Sequence, residues 1–274
     1  MKRATPPSAK RRNTVGTLCA ITVVGLIGVG DWTVAAETNR TEVTPDLQIT
    51  RLADGVWLHT SWQVLPGGTR YPSNGLLVRE GDALNLIDTA WGQKPTRDLL
   101  AWVARELKLP VSRAILTHAH DDRMGGASVL VERGIPACSH PLTGALAAKQ
   151  GWPQPMSLAT LRAAGAATNV GAVEVFYPGA AHTVDNLLVW IPRAKILFGG
   201  CAVKEEKSRT LGNIADADVA AWPEAIRRVQ NRYAGEGLTV VPGHGDVGGP
   251  ELLRHTLALC DGRKSQAGPA KPRP

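Results

Sequence analysis

The run His118-Ala119-His120-Asp121-Asp122-Arg123 carries the densest chemistry in the chain. Alternate side chains of extended backbone point the same way, so His118 and His120 share a side, while Asp122 follows on a loop able to fold back. Two imidazoles and a carboxylate in that pattern suit a divalent transition metal. Three more donors each stand just past an apolar run: 175–181 leads into His182, 196–200 into Cys201 and 239–243 into His244. In sheets flanked by helices, loops from several strand ends converge, which makes these segments one candidate site. A single histidine is more often a surface or hydrogen-bonded core residue, and His59, His140 and His255 are read so. A Cys201 nucleophile with a histidine base is the rival chemistry. It leaves the His-x-His-x-Asp cluster without a task.

Those donors need elements to carry them. Apolar runs of strand length predict strands at 56–60, 75–78, 83–87, 113–117, 172–177, 187–191, 195–198 and 238–241. The first two enclose Leu65-Pro66-Gly67-Gly68, a hairpin tip. Helices are predicted at 95–107, with Leu99, Leu100, Val103 and Leu107 on one face, and at 126–133, 141–150, 216–233 and 250–260. Strand-rich and helix-rich stretches interleave without a repeat or a long linker, so one α/β domain with sheet covered by helices is the simplest reading.

On Tyr71-Pro-Ser-Asn-Gly75, Asp88-Thr-Ala-Trp-Gly92, Tyr177-Pro-Gly-Ala-Ala-His182, Gly199-Gly-Cys201, Ala215-Asp-Ala-Asp218 and Pro242-Gly-His-Gly245, the chain resembles the zinc-dependent β-lactamases of class B, subgroup 1. It is most similar to their Verona integron type, and the resemblance covers nearly all of the chain after residue 36. It implies an αββα sandwich, two facing mixed β-sheets with helices on the outer faces, holding two Zn²⁺ ions at one edge. Carried over by motif, His118, His120 and His182 would bind the first ion, and Asp122, Cys201 and His244 the second. Three neutral imidazoles would leave the first ion its charge and an open position, whereas a carboxylate, a thiolate and an imidazole neutralise the second. The implied reaction is attack of zinc-bound hydroxide on the lactam amide of penicillins, cephalosporins and carbapenems, which confers resistance to them.

The same resemblance assigns supporting roles. Asp122 would also orient the hydroxide, Lys204 would meet the substrate carboxylate and Asn213 would polarise the lactam oxygen. Asp88 and Arg123 would pack beneath the metals, and Trp62 with the tip 65–69 would form a flap over substrate. The chain departs from the Verona type at Lys204, where that group has Tyr or His, and Arg209 lies one position later than the expected substrate-binding arginine. Either cation could therefore grip the carboxylate. Simpler readings stand beside these: an Asx turn for Asn213, a solvated Lys204, a strand-end turn for Asp88, an ordinary hairpin end around Trp62. Other hydrolases of the fold, such as glyoxalases of the second type or lactonases, use Asp-His where this chain has Asp122-Arg123. They commonly place an Asp where it has Cys201. A non-catalytic exported zinc-binding protein would tend to close its coordination spheres with protein ligands.

Composition bounds the rest. With 43% hydrophobic and 20% charged residues in 274, disorder, collagen and coiled coil are excluded. Residues 1–36 read as a secretory signal: Lys2, Arg3, Lys10, Arg11 and Arg12, an apolar stretch at 15–30, and small residues at Ala35-Ala36. A periplasmic protein free of stable membrane association is the expectation. The leader and the tail 262–274, read as a disordered basic end, carry most of the +7 net charge, which leaves the domain 37–261 close to neutral. That balance argues against a nucleic-acid partner, and a monomer is expected. After cleavage, Cys138, Cys201 and Cys260 remain, too few for a disulfide framework. Whether Cys138 and Cys260 pair stays open.

Overall fold

Strands that are apolar on both sides must be covered on both faces, and the sequence around Leu76–Val78 and Val175–Tyr177 has that character. The computed structural model describes residues 39–266. The expected signal at 1–36 and the tail beyond 266 lie outside the described residues. Strands β1 (Arg40–Thr44), β2 (Leu47–Ala53), β3 (Val56–Val64), β4 (Arg70–Glu80), β5 (Ala83–Ile87), β6 (Val111–Ile115), β7 (Ala137–Ser139) and β8 (Met156–Ser157) form one sheet in chain order. It is antiparallel as far as β5 and parallel from β5 to β8. A second sheet takes β9 (Ala166–Val170), β10 (Val173–Tyr177), β11 (Leu188–Ile191), β12 (Ile196–Gly200) and β13 (Thr239–Pro242), with β13 joining β12 in parallel.

The two-residue period of a strand sorts each side chain into a layer. Leu76 and Val78 of β4 face Val173, Val175 and Phe198 between the sheets. Leu77, on the other side of β4, joins Leu84, Leu86 and Leu116 under the helices of the first sheet. Those helices are α1 (Gln93–Trp102, continued as a wider π turn to Leu107), α2 (Asp121–Met124), α3 (Ala127–Glu132) and α4 (Thr143–Lys149). Phe176, Leu197 and Val240 of the second sheet pack outward against α5 (Trp222–Arg232) and α6 (Glu251–Gln266) through Trp222, Ile226, Val229, Leu252 and Leu253. The result is the predicted helix–sheet–sheet–helix sandwich. Cys138 lies in the core between the sheets and Cys260 in the outer one, and no disulfide joins them. Among the described residues no helix is long and apolar enough to cross a membrane.

Of the boundaries that differ from the sequence reading, two have a plain physical reason. The helix expected at 216–233 starts at Trp222, because Asp218 turns the chain first: its N–H donates to Ala181 O at 2.9 Å and its Oδ1 accepts the Ala221 N–H at 2.9 Å. Pro223 then suits the first turn, where its missing N–H costs nothing. At the other end, the last helix continues to Gln266, past the end expected at 260. The one poor helix former there, Gly262, costs only about 1 kcal/mol.

Candidate metal centre

Strand direction brings the donors to one edge. β5 and β6 are parallel, and β10, β12 and β13 share a direction, since β10 and β12 both run antiparallel to β11 and β13 runs parallel to β12. Asp88, His118, His182, Cys201 and His244 each lie just past the C-terminal end of one of these five strands. At the last exit a Cβ on Gly243 would lie 2.6 Å from Cys201 N and 2.8 Å from its Sγ, so only glycine lets the His244 loop pass Cys201.

Two donor sets stand side by side. The rings of His118, His120 and His182 have centroids 4.8–5.1 Å apart and meet at 77–84°, with His182 Nε2 3.2 Å from His120 Nδ1. Their ligand atoms lie within 4.8 Å of one another, as do those of His118, Asp122 and Cys201. Cys201 Sγ is 3.3 Å from Asp122 Oδ2 and 3.2 Å from His244 Nε2. The carboxylate oxygen and that imidazole nitrogen are also 3.2 Å apart.

The surroundings fix which atom of each residue faces inward. His244 Nδ1 donates to Pro72 O at 2.6 Å, leaving Nε2 to Cys201 and Asp122. His120 Nε2 meets Asp216 Oδ2 at 3.0 Å, which turns Nδ1 toward His182. Such outer partners set the tautomer of a ligand histidine. Beneath the donors, the wholly buried Arg123 contacts Asp122 Oδ2 through Nε at 2.9 Å and Nη2 at 2.8 Å. It also donates to Gly243 O at 2.7 Å and lies 3.5 Å from Asp88. Asp88 occupies the left-handed region (φ 59°) and accepts the Thr117 N–H at 2.7 Å and its hydroxyl at 2.8 Å, bracing the residue before His118.

The electrostatics suit a cation. Burial and the neighbouring imidazoles hold His118 well below the ordinary histidine range, and burial and Lys204 do the same to His182. Both are therefore neutral, with lone pairs to give. Burial would raise Asp122, but the Arg123 guanidinium and His244 take it well below the usual carboxylate range. His244 shows the opposite balance: burial lowers it, yet the charges of Cys201 and Asp122 push it up to about 9. A cluster that draws a proton onto His244 favours positive charge at that point, and a metal ion supplies it. His118 Nε2, buried with no hydrogen-bond partner, is a second mark of a ligand position. The donor atoms and their environment fit bound metal.

A cleft of about 490 Å³ opens over the donors, lined by Leu65, Tyr71, Trp91, Lys204 and Asn213 and by His120, Asp122, His182 and His244. Lys204 is only 9% exposed, its ammonium 5.2 Å from the Trp222 ring. Asn213 borders the cleft and its Oδ1 accepts the Ala215 N–H at 3.1 Å, the Asx turn that the sequence also allowed. Two residues expected to meet substrate do not line this cleft. Arg209 is exposed and lines no part of the cleft. Trp62 lies outside it under the Arg70 guanidinium, 4.4 Å from the ring, because the β3–β4 hairpin presents Leu65 inward instead. Sequence reasoning had no role for Tyr71, Trp91 or Asp216, although all three lie within the motifs that carried the resemblance. Tyr71, its ring 4.9 Å from His244, could have been found as the aromatic residue heading Tyr71-Pro-Ser-Asn-Gly75.

Comparison with known proteins agrees with this geometry. A model of the metallo-beta-lactamase superfamily matches residues 68–244. The metallo-beta-lactamase type 2 of Bacillus cereus is 44% identical over 79% of this chain and 83% of its own length, and that of Bacteroides fragilis 35% identical over 80% and 88%. A solved metallo-beta-lactamase from Pontibacter korlensis superposes with a TM-score of 0.73 at 43% identity, covering 78% of this chain and 99% of that one. The mono-zinc form of one from Pseudomonas aeruginosa gives 0.75 at 36% identity, over 81% and 99%. Fold and site define a metal-dependent protein of the αββα sandwich class. The chain belongs to the metallo-β-lactamase superfamily, and its relatives there include type 2 enzymes.

Proposed function

We propose that this protein is a zinc-dependent β-lactamase that opens the lactam amide of penicillins, cephalosporins and carbapenems and so confers resistance. The observation that carries the reading is one cleft in which three imidazoles and a carboxylate–thiolate–imidazole set adjoin beside a buried lysine. Two zinc ions would be held by these sets, and when bound they would supply Lewis acidity and make hydroxide available near neutral pH. The chain's own residues do the rest. Lys204, desolvated in the cleft wall, recovers the energy of its buried charge when a substrate carboxylate meets it. That choice of anchor leaves Arg209 to the surface.

Asn213 has its Oδ1 engaged by Ala215, so its amide N–H₂ is the donor side, placed to polarise the lactam oxygen. Asp122 would help to hold the second ion and to orient the attacking water. Leu65, Tyr71 and Trp91 give the apolar walls against which the fused rings pack. Residues 1–36 direct export to the periplasm, and a cleft completed within one chain supports action as a monomer. Kinship with the Verona integron type rests on the shared motifs, with Lys204 as the departure.

Purified protein should hydrolyse all three substrate classes, stop on addition of a chelator and recover with zinc. Zinc-loaded protein inert toward all three would overturn the reading.

A further inference from the structure

Resting on the two-ion reading above, we propose that the two donor sets are held by separate polar clamps. Asp185 fixes the three-histidine set, Asn74 fixes the His244 end of the thiolate set, and each clamp governs the affinity of one ion. Asp185 is fully buried, and no salt bridge reaches it among the described residues. Burying a carboxylate this way is costly, so its position is informative. It stands three residues past His182, on the loop from β10 to β11. Its Oδ2 accepts the N–H of Ala119, the residue between His118 and His120, at 3.1 Å. One carboxylate thus joins the two loops, one from each sheet, that present the three imidazoles. The same oxygen accepts the Thr143 hydroxyl of α4 at 2.8 Å, and Ser139 Oγ donates to Thr143 at 2.8 Å. The clamp is thereby anchored in the first sheet and its helix.

Asn74 performs the equivalent task elsewhere. Its Nδ2 donates to Pro242 O at 3.0 Å and to Gly245 O at 2.8 Å, carbonyls on either side of His244. Its backbone N–H donates to Gly243 O at 2.9 Å. Its Oδ1 accepts the Thr60 hydroxyl of the neighbouring strand at 2.9 Å, which fixes the amide orientation. All of the side chain's bonding capacity toward the loop is spent around one ligand. Among the described residues no side-chain hydrogen bond of Asn74 reaches the loops of His118, His120 or His182, although its carbonyl accepts the Arg123 guanidinium, and none of Asp185 reaches residues 242–245. Partners outside the ligand shell commonly change metal affinity by about 10- to 100-fold, and here two such partners act on different ions.

The test is cobalt titration of the metal-free full chain, read by two signals that do not require turnover. The thiolate-to-cobalt charge-transfer band reports the ion beside Cys201, and competition with a chromogenic chelator gives the affinity of both ions. Asp185→Asn should weaken the ion without the thiolate band by about tenfold or more and move the band's midpoint by less than about twofold. Asn74→Ala should do the reverse. Thr143→Val and Thr60→Val, which remove one supporting bond each, should give smaller shifts of the same selectivity. They serve if either direct variant fails to fold by circular dichroism. Equal weakening of both ions in every folded variant, or none in any, overturns the clamps. A native chain that takes up a single ion, or gives no thiolate band, overturns the two-ion reading itself before any variant is compared.

Discussion

Lys204 and Arg209 show at the scale of single residues how burial decides a role that sequence position left open. Both are cations on the segment after Cys201, but only Lys204 is folded into the cleft wall, where desolvation lowers its pKa and the Cys201 charge opposes that shift. A group so placed gains from an anion in ground and transition states alike. Lys204→Ala should therefore raise KM by about 10-fold or more while lowering kcat less, the signature of lost uniform binding. Arg209→Ala should leave both within about twofold, since exposed charges contribute little. Steady-state kinetics on one substrate checks the pair, and the reverse order of effects would move the carboxylate anchor to Arg209. The donors themselves were legible because metal ligation depends on residue type and short spacing. Asp216 was not. Its contact with His120 spans 96 positions and exists only because the chain turns at Asp218 before α5 begins.

Within the elements, the β3–β4 hairpin carries a tight steric constraint. Gly75 of β4 faces His59 of β3, and a Cβ there would lie 2.3 Å from the imidazole and 2.6 Å from Ile87 O. His59 is fully buried, and burial drives its pKa down to about 4, so it is a neutral filler that cannot move aside. Gly75→Ala should cost about 1–3 kcal/mol as an overpacking change, lowering Tm by roughly 2–4 °C per kcal/mol for a domain of this size. An unchanged melting curve would show that the sheet yields there. The long strands were readable from apolar runs, and their hairpin from Pro66-Gly67-Gly68. β7 and β8 were missed, being three and two residues long with little pattern to read. β9, Ala-Ala-Thr-Asn-Val, escaped because its small and polar residues at a sheet edge show no alternation. β2 is different: Leu47 and Ile49 alternate inward, a signal present in the sequence and passed over.

For the molecule as a whole, the donor sets lie across the seam between the sheets. His118 and His120 leave the first sheet through β6, His182 leaves the second through β10, and Asp122 on α2 meets Cys201 and His244 from β12 and β13. With no disulfide among Cys138, Cys201 and Cys260, bound metal is the one cross-link of ligand-bond strength that the described residues offer between the layers. Ions that bind the folded chain and not the unfolded one stabilise it by mass action, by about 4 kcal/mol with free zinc a thousandfold above its dissociation constant. Chelation should accordingly lower Tm by on the order of 10 °C. A reductant should leave it unchanged. His182→Ala, which removes the second sheet's contribution to the three-histidine set, should shrink the zinc-dependent shift without abolishing it, because the thiolate set still spans the seam. Scanning calorimetry with and without chelator decides the matter. An identical Tm in both, for protein shown to carry zinc, would mean that the sandwich is closed by its apolar core alone.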